Sequence, residues 1–271
     1  MVISMQRYFA KKKKDNKFEL LDTDIKHIKK VMRMKPNDEI IVVFDNISYL
    51  CYLNDDYEIL LKEQLESVKE KVPYICLIVP VLKEQKLDYI FQKGTELGVS
   101  KIVLYYSERG IVKENEKSSK KIDRWKMILK EASEQSHRNT IPELEILKLE
   151  EILELNGINI FCSTTEKSMT IKNVLKSNKN CGRINVLIGP EGGISNNEGK
   201  LLLENNFIPV TLGNRILRVE TVPLFIMSIV NYECMEWLYV RNKYTSKFTN
   251  NSISNNIYSC YCLYSICHLQ R

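Results

Sequence analysis

The chain has 271 residues, 44% of them hydrophobic, with a formal net charge of +6 and eight cysteines. That length fits one or two domains, and the composition is that of a folded globular protein rather than a disordered or collagen-like one. The start is followed by a lysine run rather than an apolar stretch, so no secretory signal is expected, and the cysteines, lacking zinc or disulfide spacing over most of the chain, read as reduced thiols in a cytoplasmic protein. The positive charge suits an RNA partner and equally suits solubility alone.

Residues 1–72 read as a small β-rich domain. Met5–Phe9 is its first predicted strand. Lys11–Lys14 form a basic run on a mobile loop, either a solvated tip or a contact to RNA phosphates. Asp24–Val31 predicts a short amphipathic helix with Ile25, Ile28 and Val31 on one face, and His27 in it reads as structural. Strands are expected at Glu39–Phe44, Ser48–Leu53 and Tyr57–Glu63.

Val72-Pro73 marks a boundary, and a βαβ pattern follows. Tyr74–Pro80 is an apolar strand, Lys83–Leu97 a helix with Leu87, Ile90 and Phe91 on one face, and Val99–Tyr106 the next strand, with Gly98 ending the helix. Such alternation predicts a parallel sheet covered by helices. Lys120–Ser136 is a long helix whose apolar face is Ile122, Trp125, Ile128, Leu129 and Ala132. Its end, EQSHRN, groups Glu134, Gln135, Arg138 and Asn139. Leu144–Leu147, a short helix around Glu150, Asn159–Ser163 and a helix near Met169–Leu175 continue the alternation. Thr164–Glu166 fall at a strand's carboxyl end, where open α/β sheets bind ligands.

Two stretches then repeat one design, a strand running into a loop and then a helix. In the first, INVLIGPEGGISNNE, Val186–Ile188 is an apolar run that Gly189 and Pro190 break. Gly192 and Gly193 permit positive φ, and Ser195 or Asn196 can cap the next helix with Glu198 in its first turn. The loop is either an ordinary turn or a surface of backbone groups open to a ligand. Neither the Walker lysine nor GxGxxG is present, and Glu191 would repel a phosphate, so a neutral or cationic ligand suits it better. In the second, IPVTLGNRILRVET, Val210–Leu212 ends a strand, Gly213-Asn214 turns, and Arg215, Arg218, Glu220 and Thr221 follow. Thr221 can cap the helix beginning near Val222, with Pro223 in its first turn. The two arginines are either solvated or an anion site beside a helix N-terminus. The helix Val222–Val240 is apolar, but Asn231, Glu233 and Glu236 interrupt it, so it reads as buried or interfacial rather than membrane-spanning. From Arg241 to Arg271 the composition predicts a disordered tail. Its Cys260, Cys262, Cys267 and His268 do not match a zinc spacing, and no metal is expected.

Taken together, GPEGGIS-x-x-E and LGNRILRVET resemble the ribosomal RNA uridine N3-methyltransferases, of the trefoil-knotted (SPOUT) class of S-adenosylmethionine-dependent methyltransferases. HIKKVMRMKPNDEI and KGTELGVSKIVLYYSERG are also similar to stretches of that family, Glu96 and Arg109 matching recurring polar positions. EQSHRN resembles its polar cluster near the active site, with His137 where a smaller residue is usual. Val222-Pro223 likewise replaces a usual small residue. The resemblance implies a PUA-like RNA-binding β-barrel at 1–72, a knotted methyltransferase domain at 73–240, and a homodimer that modifies a uridine of 16S rRNA in the 30S subunit, with no DNA or membrane partner.

By the same resemblance, S-adenosylmethionine would lie between the two loops. Leu187, Ile188, Gly189, Leu212, Gly213, Ile216 and Leu217 would hold it through backbone groups, Gly192 and Gly193 would allow close approach, and Thr221 would adjoin it. Arg218 is the first choice to stabilise the uridine anion and Arg138 the second, supplied from a partner subunit. Glu220 either positions an arginine or accepts the proton. The competing readings are a methyltransferase for another RNA base or ribose, and an RNA-binding module without catalysis.

Overall fold

The computed structural model describes residues 5–65, 73–112, 119–178 and 182–245. Val72 of the expected boundary and residues 246–271, with Cys260, Cys262, Cys267 and His268, lie outside them. Residues Met1–Cys234 form one compact unit and Met235–Arg271 a second.

The first sheet is six-stranded, in the order β1 (Arg7–Phe9), β4 (Glu39–Phe44), β5 (Ile47–Leu53), β6 (Ile59–Gln64), β3 (Lys17–Glu19), β2 (Lys12–Lys14). β1 pairs parallel with β4, and the other pairs are antiparallel. Alternate residues turn inward onto a core of Tyr8, Phe18, Ile28, Ile40, Val42, Cys51, Leu53 and Ile59, as the two-residue period of a strand requires. Two expectations are corrected here. The lysine run is not a loop but one arm of a hairpin, turning at Asp15 with φ 51°. Lys13 lies over the Tyr49 ring, 4.3 Å from its centroid, so it packs rather than projects. The second correction concerns Asp24–Val31. The α-helix α1 (Asp22–Lys26) gives way to a π-helical turn, His27–Val31, in which the Met32 amide donates to His27 O at 2.9 Å. The wider turn shifts the helical phase, so Ile28 is buried while Val31 is 66% exposed. His27 is structural, its Nδ1 lying 3.0 Å from the Tyr8 hydroxyl.

The second sheet is six-stranded and all parallel, in the order β12 (Ile208–Val210), β10 (Ile158–Cys162), β11 (Arg183–Leu187), β7 (Tyr74–Pro80), β8 (Lys101–Tyr105), β9 (Glu143–Ile146). Its central strands are buried on both faces, which explains their continuous apolar runs. One face packs on α2 (Glu84–Glu96), α3 (Ser119–Gln135), α5 (Ile171–Ser177) and α7 (Thr221–Thr245), through Leu87, Phe91, Trp125, Leu129, Val174, Ile226 and Val230. The other packs on α4 (Leu149–Leu153) and α6 (Asn196–Glu204), through Ile152 and Leu202. Gly98, with φ 91°, ends α2 as expected. Val222 belongs to the core, 7% exposed, so the bulk that departs from the resembled family is absorbed by packing. None of the described helices is long and apolar enough to cross a membrane.

Candidate functional site

Loops that leave the carboxyl ends of parallel strands gather along one edge of the sheet. The GPEGG loop follows β11. The Ile188 amide donates to Ile78 O at 2.9 Å, and Ile188 O accepts from the Tyr105 hydroxyl at 3.0 Å. Burial keeps that phenol protonated by raising its pKa well above the ordinary tyrosine value, so it stays a donor. Gly189 is required by packing: a Cβ there would stand 2.8 Å from Ile194 Cγ1. Gly193 adopts φ 74°, and its amide closes a turn onto Pro190 O at 2.9 Å. Gly192, read as permitting positive φ, does not adopt it; instead its Cβ position would meet Arg109 Cβ at 3.3 Å.

The loop is held from outside by β8's continuation. Arg109 donates to Gly192 O at 3.2 Å and Ile194 O at 3.4 Å. Ser195 caps α6, as expected, in a reciprocal box with Glu198. Glu198 is 3% exposed and also accepts from the Glu108 amide at 2.9 Å and the Ser107 hydroxyl at 3.3 Å. The loop after β10 forms a third wall. There the Glu166 carboxylate accepts the amides of Lys167, Ser168 and Met169 at 2.8–3.0 Å, together with the Ser168 hydroxyl. Those backbone bonds, that of Met169 foremost, draw its pKa down to about 2. Met169 O in turn accepts the Thr211 amide at 2.8 Å, so this wall is stitched to the start of the second loop.

The second loop turns at Gly213, with φ 99°. Leu212 and Leu217 pack against the core, while Arg215, Ile216 and Arg218 are exposed, Ile216 to 90%. Arg218 O accepts the amides of Thr221 at 2.9 Å and Val222 at 3.2 Å, which closes the loop onto α7. Thr221 is therefore the first residue of α7 rather than its cap. Among the described residues, the Arg218 guanidinium has no hydrogen-bond or ion-pair partner.

Lys86, in the first turn of α2, reaches both loops. Its Nζ is 2.7 Å from Glu191 Oε1 and 3.5 Å from Glu220 Oε2. The hydrogen bond that Lys86 donates to Glu191 raises the Lys86 pKa against the effect of burial. Glu191's own carboxyl is lowered: burial pushes it up, but Lys86's hydrogen bond and charge outweigh that. α7 then runs beside α2 in the same direction, since Asn231 Nδ2 donates to Leu97 O at 2.7 Å at the far end. Sequence reading did not find Lys86, whose partners stand far along the chain, nor the roles of Tyr105 and Ser107.

Arg138 does not join this cluster within one chain. Its Nη1 donates to Thr95 O at 2.8 Å, at the C-terminal end of α2. Lys86 is nine residues earlier in that helix, about 14 Å along its axis. The EQSHRN group instead meets the first sheet. Arg7 donates to Arg138 O and Asn139 Oδ1, Ser48 to Asn139 Oδ1, and the Phe9 amide to Glu134 Oε1. Glu96 pairs with Lys93 at 2.8 Å. A shallow cleft lined by Leu21, Lys126, Met127 and Pro142 lies by this junction, away from the two loops.

The fit of a cofactor can be judged from the backbone. Among the described residues, the amides of Gly189, Leu212, Ile216 and Leu217 make no hydrogen bond, whereas both backbone groups of Ile188 and the Gly192 carbonyl are engaged. Unpaired amides on two facing loops, beside glycines without a Cβ, suit a ligand gripped by main-chain donors. The residues present therefore fit S-adenosylmethionine.

Models of known families match the chain as an RNA methyltransferase domain over residues 69–231 and an RNA methyltransferase PUA domain over residues 20–60. Ribosomal RNA small subunit methyltransferase E of Bacillus subtilis is 31% identical over 261 residues, covering 84% of this chain and 97% of the relative. That of Mesomycoplasma hyopneumoniae is 31% identical over 229 residues, covering 83% and 98%. The crystal structure of ribosomal RNA small subunit methyltransferase E from Neisseria gonorrhoeae bound to S-adenosyl methionine is similar at a TM-score of 0.76. It is 29% identical and covers 84% of this chain and 98% of that one. A relative matched almost end to end, and a domain model that spans the whole parallel sheet and both loops, make this chain a member of the ribosomal RNA small subunit methyltransferase E family.

Proposed function

We propose that the chain transfers the methyl group of S-adenosylmethionine to N3 of a uridine in 16S rRNA. One observation carries the site of this reaction: the two loops that bear the family-like motifs lie at the carboxyl edge of one sheet and are joined by Lys86, with unpaired amides on each. S-adenosylmethionine, when bound, supplies a methyl group already activated by its sulfonium. The amides of Gly189, Leu212, Ile216 and Leu217 would hold it, Gly193 and Gly213 would leave room for close approach, and Leu187, Ile188 and Thr221 would complete the walls. Uridine N3 carries a proton at neutral pH, and its loss to solvent water spreads the remaining negative charge onto O2 and O4. Arg218, exposed and unpaired among the described residues, stabilises that charge as an oxyanion hole does. Glu220, facing Lys86, positions the arginine loop.

Residues 1–72 act as an RNA-binding module and 73–240 as the methyltransferase domain, while the described part of the expected 241–271 tail continues α7 to Thr245. The substrate is 16S rRNA in the 30S subunit, and the enzyme works in the cytoplasm as a homodimer. Phe225 and Tyr232, exposed on one face of α7, support the dimer, and in it Arg138 of a second copy approaches the site.

The test is incubation of the protein with labelled S-adenosylmethionine and 30S subunits from cells lacking the modification, followed by digestion of the rRNA. Label in 3-methyluridine is expected. Label in another base or in ribose overturns the substrate, and absence of S-adenosylmethionine binding overturns the enzymatic reading.

A further inference from the structure

The two loops that form the site come from strands that are not neighbours. β10 lies between β11 and β12, and β7, from which α2 departs, lies beyond β11. Between Val210 and Glu220 the chain therefore returns over three strand spacings, about 14 Å, to reach the start of α2. Among the described residues, no hydrogen bond runs directly from residues 189–193 to residues 212–220. Their polar connection is the Lys86 ammonium, bonded to Glu191 at 2.7 Å and 3.5 Å from Glu220 Oε2.

Glu220 Oε2 is shielded from water and accepts no hydrogen bond. A shielded carboxylate oxygen is unfavourable unless a cation faces it, and Lys86 is the described cation within ion-pair distance. The base on which Lys86 stands is firm. Its amide donates to Lys83 O at 3.0 Å, and the next residue, Leu87, is fully buried. Glu220 is also two residues from Arg218, in the turn that Arg218 O closes with the amides of Thr221 and Val222. A shift of Glu220 therefore carries Arg218 and Leu217 with it.

We propose that Lys86 is a positioning residue for methyl transfer, which ties Glu191 of the first loop to Glu220 of the second so that the start of α2 fixes the gap between them. This rests on the functional reading above. It gives Glu220 the task of anchoring the arginine loop, and it gives Glu191 a reason to occupy the tip of a loop that binds a cationic cofactor: its charge is spent on Lys86. An incidental surface ion pair would have little effect when removed, and that difference is measurable.

The experiment compares wild type with Lys86→Met, which keeps the apolar stem, Lys86→Arg, which keeps the charge, Glu220→Gln, and the Lys86→Met/Glu220→Gln double variant. S-adenosylmethionine affinity is measured by calorimetry, kcat and KM with 30S subunits, and amide exchange across both loops by mass spectrometry. Lys86→Met is expected to weaken cofactor binding and lower kcat by about tenfold each, as small misplacement of a site does. KM for the 30S subunit should stay within twofold, and exchange should quicken in residues 188–194 and 212–220 together. Lys86→Arg should restore most of the loss, and the double variant should be no worse than Lys86→Met alone, because one link has been cut twice. Cofactor binding and kcat within twofold of wild type in Lys86→Met would overturn the proposal, as would faster exchange confined to the first loop. A wild-type protein that failed to bind S-adenosylmethionine would instead defeat the functional reading, and the exchange data would still decide whether Lys86 couples the loops.

Discussion

Arg218 and Arg138, the two arginines proposed for the cationic role, stand in different surroundings. Arg138 is held by the end of α2 at Thr95 O, whereas Arg218 has no partner among the described residues and stands two positions before Glu220. A guanidinium free of carboxylates keeps its charge for a substrate anion. Arg218→Ala is therefore expected to lower turnover at least tenfold, about 1.4 kcal/mol of transition-state stabilisation, while calorimetry shows cofactor affinity within about twofold of wild type; near-normal turnover would sink the assignment. At this scale Gly193 and Gly213 were legible, since both adopt the positive φ that their loops imply, whereas Gly192 does not. Gly189 was legible as a strand breaker but not as the residue that Ile194 leaves no room to enlarge. Lys86 could not be read, because its contact to Glu191 joins residues 105 positions apart and nothing local marks it.

The strands and helices of the parallel sheet follow from local pattern. Apolar runs ended by Gly or Pro became buried strands, and Tyr74–Pro80 and Glu39–Phe44 were legible to the residue. Elements whose form depends on distant packing were not. The lysine run became a strand because Lys13 finds Phe18 and Tyr49 to cover, and His137 takes the left-handed conformation, φ 58°, that ends α3. The cap of α6 shows how a local signal can serve a distant one. Glu198 completes the capping box and also binds Ser107 and Glu108 from the loop after β8. Glu198→Ala leaves the amides of Ser195 and Glu108 without their acceptor, and the loss is expected to be about 2–4 kcal/mol, read as a lower denaturation midpoint at unchanged m-value. Glu166 offers a pH test of the loop after β10. Its carboxyl is lowered on folding from 4.5 to about 2 by the amides it accepts. A group lowered on folding contributes stability above its ordinary value and loses it as pH falls through the folded value. Carbon-detected NMR is therefore expected to show the Glu166 carboxyl titrating near 2, with the amides of Ser168 and Met169 shifting at the same midpoint. A midpoint near 4.5 would mean that the loop is not held this way.

The two sheets keep separate cores, and an ionic clasp joins them. Lys130 of α3 lies 2.8 Å from Asp24 Oδ1 of the first sheet's module and 2.7 Å from Glu134 Oε1, all three largely buried. Asp24 Oδ2 has no hydrogen-bond partner there, and Glu134 Oε1 also accepts the Phe9 amide. The resemblance puts Glu134, Arg138 and Asn139 near the active site, and within one chain their helix end meets the first sheet. Periodicity showed that they share a helix end, and only the fold shows that this end faces the N-terminal module. Removing the cation of such a cluster leaves two carboxylates facing each other out of water, and breaking a buried pair costs about 3–5 kcal/mol. Lys130→Met is expected to lose that much at neutral pH. Burial already holds the Glu134 carboxyl above its ordinary value of 4.5, with Lys130's hydrogen bond pulling the other way. A carboxyl raised on folding takes up a proton as the chain folds, so its contribution falls as pH rises through the window between the ordinary and the raised value. Without Lys130 that window widens upward. The difference in unfolding free energy between wild type and Lys130→Met should therefore be greatest near neutrality and shrink as pH falls toward 4.5. Urea denaturation of both proteins across that range measures it. A difference that stayed constant with pH, or grew on acidification, would show that Lys130 holds the two modules together by packing of its stem rather than by its charge.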